Sequence, residues 1–373
     1  MMARVGFNAR FLHAPVTGVE RYARNVLPLV LASCAQRGIA SRVFIPEHCS
    51  VPEDWPKQGV EYIGSALPST GLGRHLWDQL YLPMQASQID LLIGLTNTAP
   101  LLTSSKNIVT VHDVAWLKNP EWFTPSFNLA YRVFVNNAAR GARAIMTVSA
   151  TAKQEIVNHL GIQPNKIRYC WLGIDASFSQ ASATEIAECR QKLGLTKPYL
   201  LYVGSLQKRK NIDSLIDAHK RLKANSEGAP DFVIAGDTGS QFAATTLGTS
   251  DCIRFIGRQD DATVRVLYSG ALAGVSASWY ESFGLPLVEG MACGTPAIVS
   301  DIAAHREVCA DAGLYFDPSD IESIVRVLSR FVADEASLPE LRRRSLERAK
   351  KFTWSAHARA FVQLIEDELN KRN

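Results

Sequence analysis

Short apolar runs alternate along the whole chain with longer stretches of mixed apolar and polar residues. Apolar runs of this length, bounded by turn residues, are typical of buried strands. We predict strands at ARVGFNA, RVFIPE, DLLIGL, NIVTVHD and AIMTVS in the first half, and at YLLYVGS, DFVIAGD, CIRFIG, LAGVSAS and PAIVSD in the second. The stretches between them have the periodicity of amphipathic helices. This alternation predicts an α/β fold with parallel sheets covered on both faces.

The stretch after the first predicted strand illustrates the helical pattern. Val19, Tyr22, Val26 and Val30 recur near one face of a helix. Pro28 lies inside the same stretch. Because proline lacks the N–H that a helix interior needs, it predicts a kink or an early end of this helix.

The predicted strands fall into two series. Between them, residues 176–197 contain no strand signal and predict a linker followed by one helix. A chain of 373 residues also exceeds one ordinary core. We therefore predict two doubly wound domains, residues 1–180 and 181–355. In such domains ligands bind at the carboxyl ends of the strands.

Composition excludes several classes of protein. With 47% hydrophobic and 20% charged residues the chain is globular, and it has no apolar stretch long enough to span a membrane. The start, MMARVGFNARFL, lacks the features of a signal peptide. Seven cysteines without a CxxC pair argue against zinc sites and disulfides. We expect a cytoplasmic protein.

Charge is distributed unevenly. Residues 1–180 hold 16 Lys and Arg against 11 Asp and Glu, whereas the remainder holds 24 against 25. A basic first half beside a near-neutral second half suggests different partners for the two halves. The excess is too small to indicate nucleic acid binding.

Two candidate sites follow strands of the first series. Gly18, after Thr17, stands at the predicted start of a helix, where backbone N–H groups can approach an anion. A plain helix cap by Thr17 explains the same residues. His112 and Asp113 directly follow a buried run, and His112 could bond a substrate hydroxyl. A histidine held for structure by a neighbouring carboxylate is the alternative.

A basic loop follows the first strand of the second series. Lys208, Arg209 and Lys210 come just before the predicted start of a helix at Asn211. Three cations oppose the helix dipole unless an anion occupies the site. A bound diphosphate would supply that anion, with Arg as a bidentate donor and Lys as a point charge. A solvated surface loop is the alternative.

Two carboxylates stand in the segment 278–300, SWYESFGLPLVEGMACGTPAIVS. Glu281 and Glu289 are separated by seven residues, and Pro286 fits the first turn of a helix between them. We predict that both acids face the end of the preceding strand. Carboxylates accept hydrogen bonds from vicinal hydroxyls, so Glu289 could hold a ribose and Glu281 a sugar. The basic loop would stabilise a departing diphosphate without a metal.

These motifs resemble one family. ESFGLPLVEGMACGTPAIVSD is similar to the E-x7-E region of retaining glycosyltransferase family 4, which has the two-domain GT-B fold. VGSLQKRKN resembles that family's phosphate loop, VTVHDV its histidine segment and TGVERY its glycine loop. The resemblance spans nearly the whole chain. It implies two doubly wound Rossmann-like domains with parallel sheets facing a central cleft. Residues 356–373 would form a helix that crosses back to the first domain.

The resemblance also implies residue roles. Glu281 and His112 would contact the donor sugar in the catalytic centre, Glu289 would bond the ribose, and Arg209 and Lys210 would hold the diphosphate. The remaining donor-binding residues would be Gly18, Ser205, Phe283, Gly284 and Leu285. Ser205 stands where many members have Arg, so Arg209 and Lys210 must supply most of the positive charge.

The implied reaction is transfer of a hexose from a nucleotide sugar to a hydroxyl with retention of the anomeric configuration. We expect GDP-mannose as donor, no metal and no further cofactor. The expected acceptor is a glycan or lipid-linked glycan of bacterial surface polysaccharide. The alternatives are a UDP- or dTDP-sugar donor, a sucrose- or trehalose-type synthase or a phosphorylase, and a non-catalytic nucleotide-sugar-binding partner.

Two segments of the first half mix aromatic and basic residues. SFNLAYRVFVNNAARGARA contains Leu129, Arg132 and Arg143, and GLGRHLWDQLYLP contains Arg74 and Trp77. Interfacial helices have this composition. We expect docking on an anionic surface at the inner face of the plasma membrane. Buried helices with arginine at a solvated edge are the alternative.

Overall fold

The structure is a computed structural model that describes residues 3–65, 77–86, 88–101, 106–226, 228–237 and 252–371. The chain divides into two compact units. The first unit consists of Met1–Lys118, Pro125–Gly173 and Thr353–Asn373, and the second of Asn119–Thr124 and Ile174–Phe352.

The first unit contains a seven-stranded parallel sheet. Its strands are β1 (Arg4–Asn8), β2 (Ala40–Ile45), β3 (Val60–Gly64), β4 (Leu91–Gly94), β5 (Lys106–Thr110), β6 (Ala144–Thr147) and β7 (Ile167–Tyr169). They lie in the order β3-β2-β1-β4-β5-β6-β7. The order reverses between β1 and β4, where Val5 lies opposite Leu91. This reversal is the switch point of a doubly wound sheet.

The second unit repeats this arrangement with six parallel strands. They are β8 (Tyr199–Val203), β9 (Asp231–Ala235), β10 (Ile253–Phe255), β11 (Ala273–Ser276), β12 (Ala297–Ser300) and β13 (Gly313–Phe316). Their order is β10-β9-β8-β11-β12-β13, so the reversal falls between β8 and β11. Ala273 lies opposite Leu200 at this point.

The helices connect these strands. In chain order they are α1 (Gly18–Gln36), α2 (Leu82–Ala86), α3 (Ala115–Lys118), α4 (Pro125–Gly141), α5 (Ala150–Leu160), α6 (Ala183–Lys192), α7 (Ile212–Asn225), α8 (Asp261–Gly270), α9 (Leu285–Ala292), α10 (Ala303–Cys309), α11 (Ile321–Ala333), α12 (Leu338–Ala349) and α13 (Trp354–Asn370). Within the described residues, none of these helices has the length and hydropathy needed to cross a membrane.

Strand β8 shows why the second sheet is covered on both faces. Leu200 and Tyr202 belong to one apolar core, together with buried residues of α7 and α11. Tyr199 and Leu201 belong to another, together with buried residues of α8. Successive strand residues point to opposite faces, so a strand apolar at every position requires a helical layer on each side. The predicted α/β class with doubly wound parallel sheets is confirmed.

All ten predicted strands are present, and three further strands lie at sheet edges. Strands β3 and β7 form the two edges of the first sheet, and β13 forms one edge of the second. Each is partly exposed, so none has the continuous apolar run of a central strand.

Helix α1 does not end at Pro28. It continues to Gln36, so the early end that proline predicted is wrong. The last two turns bury Val30, Leu31 and Cys34. We attribute the continuation to this burial, because packing of an apolar face supplies most of the stability of helices in proteins.

Helix α13 belongs to the first unit and packs against α1. The Tyr22 hydroxyl lies 3.1 Å from His357 Nε2 and 3.2 Å from Thr110 Oγ1. His357 Nδ1 lies 3.1 Å from the Trp171 carbonyl oxygen. A carbonyl only accepts, so Nδ1 carries the proton and Nε2 accepts from Tyr22. Buried hydrogen bonds thus anchor the C-terminal helix.

The two segments predicted to be interfacial differ in the structure. Trp77 is fully buried, and its indole N–H donates to Asn8 Oδ1 at 3.2 Å, so its predicted interfacial role is wrong. A buried indole needs such an acceptor, and the end of β1 supplies it. Arg74 lies outside the described residues. On α4, Leu129 is 66% exposed, whereas Arg143 donates to Glu368 at 2.7 Å.

Candidate active site

Two loops meet at the switch point of the second sheet. After β8 the chain passes through Gly204 and Ser205 into a 3₁₀ turn, Lys208–Lys210, and then into α7. After β11 it passes through Ser278 and Glu281 into α9. Because β8 and β11 are parallel neighbours, both loops leave the same edge of the sheet.

The 3₁₀ turn directs two of its three cations towards the β11 loop. The Arg209 carbonyl oxygen accepts from the Trp279 N–H at 2.9 Å, which ties the two loops together. Arg209 Nε donates to Gln207 Oε1 at 2.8 Å. Lys208 is exposed, whereas Arg209 and Lys210 are partly buried. The turn therefore presents Arg209 and Lys210 to the sheet edge and Lys208 to solvent.

Glu281 is the centre of an ionic cluster. Lys210 Nζ donates to Oε1 at 2.5 Å, and Arg209 Nη1 donates to Oε2 at 3.2 Å. Ser278 Oγ also donates to Oε1, at 2.8 Å. Burial opposes ionisation of Glu281, but Lys210 and Arg209 outweigh it and hold the pKa of the carboxyl well below its usual range. Glu281 is therefore ionised at neutral pH.

This cluster changes how the sequence is interpreted. The sequence predicts either an anion at the three cations before α7 or a solvated surface loop. The carboxylate of Glu281, from the neighbouring loop, already lies against two of them. Both cations bond the same carboxylate, so the basic loop and the first acid form one group rather than two separate sites.

The N-terminus of α9 borders the cluster. Gly284 has φ 112°, a conformation that side chains rarely adopt, so glycine is required there. Within the described residues, no side chain caps this helix, and its first turn contains no acid. Phe283 packs edge-on against Phe352, with ring centroids 5.6 Å apart, so its backbone rather than its ring is available. Leu285 is the first helical residue.

Glu289 and Ser205 lie near the cluster but have other surroundings. Glu289 is buried on the second turn of α9, and its charge adds to the effect of burial in raising the pKa of Tyr268. The carbonyl oxygen of Ser205 accepts from the Tyr202 hydroxyl at 2.8 Å. The structure therefore brings Arg209, Lys210 and Glu281 into direct contact.

A cavity of about 30 Å³ lies beside Glu281. Lys210, Gly284 and His305 line it, together with residues of β8, β11 and α9. His305, on α10, is fully buried, and burial lowers its pKa to about 4, so the imidazole is neutral at neutral pH. Sequence analysis missed this residue. The strand-end rule that selected Glu281 could have found it, because His305 lies five residues after the end of β12.

His112 lies at the carboxyl edge of the first sheet. Its backbone N–H donates to Asn97 Oδ1 at 2.8 Å, and its Nε2 lies 3.0 Å from the Leu95 carbonyl oxygen. Nε2 therefore carries the proton, and Nδ1 is the acceptor. Burial lowers the pKa of this ring, which packs edge-on against Tyr22. Asp113 accepts from the Ala115 N–H at 3.1 Å.

Gly18 begins α1, as predicted. The Thr17 N–H donates to a Glu20 carboxylate oxygen at 3.2 Å, which forms a capping box at this helix N-terminus. No described atom lies within 4 Å of a Cβ placed at Gly18. The position is therefore open, but the helix already has an acidic first-turn residue of its own.

Two doubly wound parallel units, one with a cationic loop at its switch point, are typical of nucleotide-binding α/β proteins. The model for "Glycosyltransferase Family 4" matches residues 16–178. The model for "Glycosyl transferases group 1" matches residues 185–352. Together the two models cover most of the chain, which therefore consists of a family 4 and a group 1 glycosyltransferase domain.

Two of the curated relatives are mannosyltransferases of Escherichia coli. The O-antigen chain mannosyltransferase B of Escherichia coli is 29% identical over 254 residues, which cover 66% of this chain and 66% of that protein. The serotype-specific mannosyltransferase WbdA of E. coli is 27% identical over 271 residues, 69% of this chain and 33% of that protein. The matched region thus spans less than two thirds of the first relative and about one third of the second.

Solved structures share the fold. Sucrose-phosphate synthase from Thermosynechococcus elongatus superposes with a TM-score of 0.71 at 19% identity, over 99% of this chain and 100% of that one. WaaG, a glycosyltransferase of lipopolysaccharide biosynthesis, gives 0.70 at 16% identity, over 97% and 99%. Anabaena HepE in complex with UDP-glucose gives 0.69 at 17% identity, over 98% and 99%. The predicted GT-B fold class is confirmed.

Proposed function

We propose that this glycosyltransferase moves a hexose from a nucleotide sugar to a hydroxyl with retention of configuration. The proposed donor is GDP-mannose, and the proposed acceptor is a glycan or lipid-linked glycan of bacterial surface polysaccharide. The observation that carries the proposal is the contact of Glu281 with Lys210 and Arg209 at the switch point of the second sheet. The names of the mannosyltransferase relatives support mannose as the sugar.

The cations of the cluster suit a diphosphate. An ammonium has three donors and a guanidinium five, so the bonds to Glu281 use only part of the donor capacity of Lys210 and Arg209. The two neighbouring cations would attract a doubly charged ligand. As the sugar departs, negative charge develops on the diphosphate, and cations already in position stabilise it without reorganisation.

The backbone at the start of α9 supplies further donors. The first N–H groups of a helix have no partner within the helix, and the dipole favours an anion there. We assign Phe283, Gly284 and Leu285 to this role, since the N-terminus has no capping side chain among the described residues. Ser205, at the end of β8, completes the proposed donor site.

Glu281 is assigned to the sugar as a hydrogen-bond acceptor. Its carboxylate is ionised, so it cannot act as an acid. Three donors already bond its two oxygens, which lowers its nucleophilicity. We therefore do not assign it as a nucleophile. Glu289 as the ribose ligand, His112 as a second sugar contact and Gly18 as a donor-site residue remain proposals.

The proposed reaction needs no protein nucleophile. The bond between the anomeric carbon and the phosphate oxygen breaks, and the acceptor oxygen bonds to the same face of that carbon. The acceptor proton passes to the leaving phosphate, which departs as the nucleoside diphosphate. Metal independence is part of the proposal, with Lys210 and Arg209 in the place of a cation.

The first experiment is a thermal-shift panel without added metal, containing GDP-mannose, GDP, UDP-glucose, UDP-N-acetylglucosamine, UDP and dTDP-rhamnose. A ligand that binds only the folded state at a hundredfold excess over its Kd adds about 2.7 kcal/mol to stability. A shift with guanine nucleotides alone supports the GDP-mannose assignment. A shift with another base alone replaces that donor, and no shift with any ligand contradicts the donor site.

Docking on an anionic membrane is a second part of the proposal. On α4, Leu129 and Val133 are 66% and 41% exposed, and Arg132, on the same face, is exposed as well. This face combines apolar and basic groups, as interfacial helices do. Leu129→Glu should abolish sedimentation with anionic vesicles at low salt, whereas Leu29→Glu, an exposed position on α1, should not. No binding by the unaltered protein would contradict this part.

A further inference from the structure

His305 lines the cavity beside Glu281 and has a buried ring nitrogen, Nε2. Its Nε2 is buried and, within the described part of the chain, has no hydrogen-bond partner. Burying a polar atom without a partner is costly, so such an atom needs an explanation. The nitrogen belongs to a ring that lines the same cavity as Lys210 and Glu281.

The hydrogen bonds of the ring define its proton. Nδ1 lies 3.0 Å from both the carbonyl oxygen and the hydroxyl of Ser300. The carbonyl only accepts, so the proton is on Nδ1, and Nε2 presents a lone pair. Ser300 Oγ in turn donates to the Ser278 carbonyl oxygen at 2.7 Å, and Ser278 Oγ donates to Glu281. His305 is therefore held in a defined position relative to Glu281.

The cavity accommodates one small group. Its volume of about 30 Å³ suits a single hydroxyl or water oxygen. A Cβ placed on Gly284 would lie 4.0 Å from His305 Cδ2, so the ring lies close to the turn that begins α9. The Lys210 ammonium disfavours a cation there. Nε2 and the Glu281 carboxylate are both acceptors, and two neighbouring acceptors are complementary to O–H donors.

We propose that His305 Nε2 accepts a hydrogen bond from a hydroxyl of the donor sugar, next to the hydroxyl bound by Glu281. The two acceptors together then bind a pair of neighbouring hydroxyls and contribute to specificity for the sugar. This inference rests on the proposed function, because it requires a nucleotide sugar at the Glu281 cluster. A water molecule has the same donor chemistry, and the experiment separates the two sources.

Two variants distinguish the ring nitrogens. His305→Asn places an amide near the position of Nδ1 and removes the group at Nε2. His305→Gln places an amide oxygen near the position of Nε2. Affinities for GDP-mannose and GDP are measured by calorimetry, with UDP-glucose and UDP in their place if the uridine nucleotides bind instead. We expect the Asn variant to bind the nucleotide sugar about tenfold more weakly and the Gln variant to retain most of the affinity.

The nucleoside diphosphate is the decisive comparison. If a sugar hydroxyl donates to His305, the affinity for the nucleoside diphosphate stays within about twofold in both variants. The ¹⁵N chemical shift of His305 Nε2 then changes only when the nucleotide sugar binds. Equal losses for both ligands, or better retention by Asn than by Gln, overturn the inference in favour of a water or a purely structural ring. If the unaltered protein binds neither ligand, the proposed function fails first, and this inference fails with it.

Discussion

The two sheets reverse their strand order at equivalent points, but their carboxyl edges differ in chemistry. In the first unit, His112 is neutral with its Nε2 bonded to a carbonyl, and α1 has a capping box formed by Thr17 and Glu20. In the second unit, α9 begins without a side-chain cap, and the ionised Glu281 lies against Lys210. These groups of the first edge are bonded to their own neighbours, whereas the second edge holds two cations against one carboxylate.

This difference teaches where function resides in a repeated fold. Both sheets place strand ends at a switch point, so topology alone marks two equivalent positions. Only the side chains distinguish them. Self-contained hydrogen bonds, such as those of Tyr22 and His357, stabilise the first unit. Two cations held close together repel each other, and a bound anion would relieve that repulsion, which is why we propose the binding site there.

The largest expected effect is the loss of activity when Glu281 is replaced. Glu281→Gln should lower kcat by about 10²–10³-fold, or roughly 3–4 kcal/mol, by analogy with the removal of a preorganised transition-state contact. Nucleoside diphosphate affinity should stay the same or improve, because Lys210 no longer bonds a charged carboxylate. Steady-state kinetics and calorimetry measure the two effects. Unchanged kcat would remove Glu281 from the sugar site.

Low pH should destabilise the first unit through the buried His357. Burial lowers the pKa of His357 to about 4, despite the carbonyl bond that favours its charged form. An unfolded histidine has a pKa of about 6.5, so the unfolded chain binds more protons between these values. The stability that depends on neutral His357 is fully present above pH 6.5. It is lost as pH falls to about 4, which lowers the free energy of unfolding by about 3 kcal/mol.

Urea unfolding between pH 4.5 and 7 measures this dependence. His357→Gln should reduce the slope of stability against pH in the transition of the first unit. His48→Gln is the matched control, because the His48 side chain is 83% exposed. An unchanged slope in the His357 variant would contradict the buried, neutral state of this ring.

The third effect concerns nucleoside diphosphate binding by Lys210. Lys210→Ala should weaken nucleoside diphosphate binding by about 30-fold, roughly 2 kcal/mol, through loss of a charge-assisted hydrogen bond. Lys208→Ala removes the same charge from the same turn, but Lys208 is exposed, so we expect less than a threefold change. Equal effects would mean that the loop acts only through its general positive field.

The smallest effect concerns the anchor of the C-terminal helix. Tyr22→Phe removes the hydroxyl shared with His357 and Thr110 and should cost about 1–2 kcal/mol, because the partners are buried. Tyr169→Phe, at a side chain 44% exposed in the same unit, should change stability by less than about 0.5 kcal/mol. Similar losses in both variants would show that the Tyr22 hydroxyl is dispensable.

Sequence patterns predicted central elements better than edges. A central strand such as β8 is buried on both faces, and its continuous apolar run records that burial. Strand β7 has three residues, one of them exposed, and no such signal. The early end predicted from Pro28 is wrong because the cost of proline is local, whereas the burial that offsets it comes from the rest of the unit.

The amino-acid sequence by itself determined the α/β class, the start of α9 at the Gly284–Pro286 turn, and the spacing of Glu281 and Glu289. These features depend on neighbouring residues and on the period of apolar positions. Only the tertiary structure decided that Glu281 bonds Lys210, 71 residues earlier, and that His305 shares its cavity. Such pairings depend on strand order, which places distant loops at one sheet edge and leaves no local trace in the sequence.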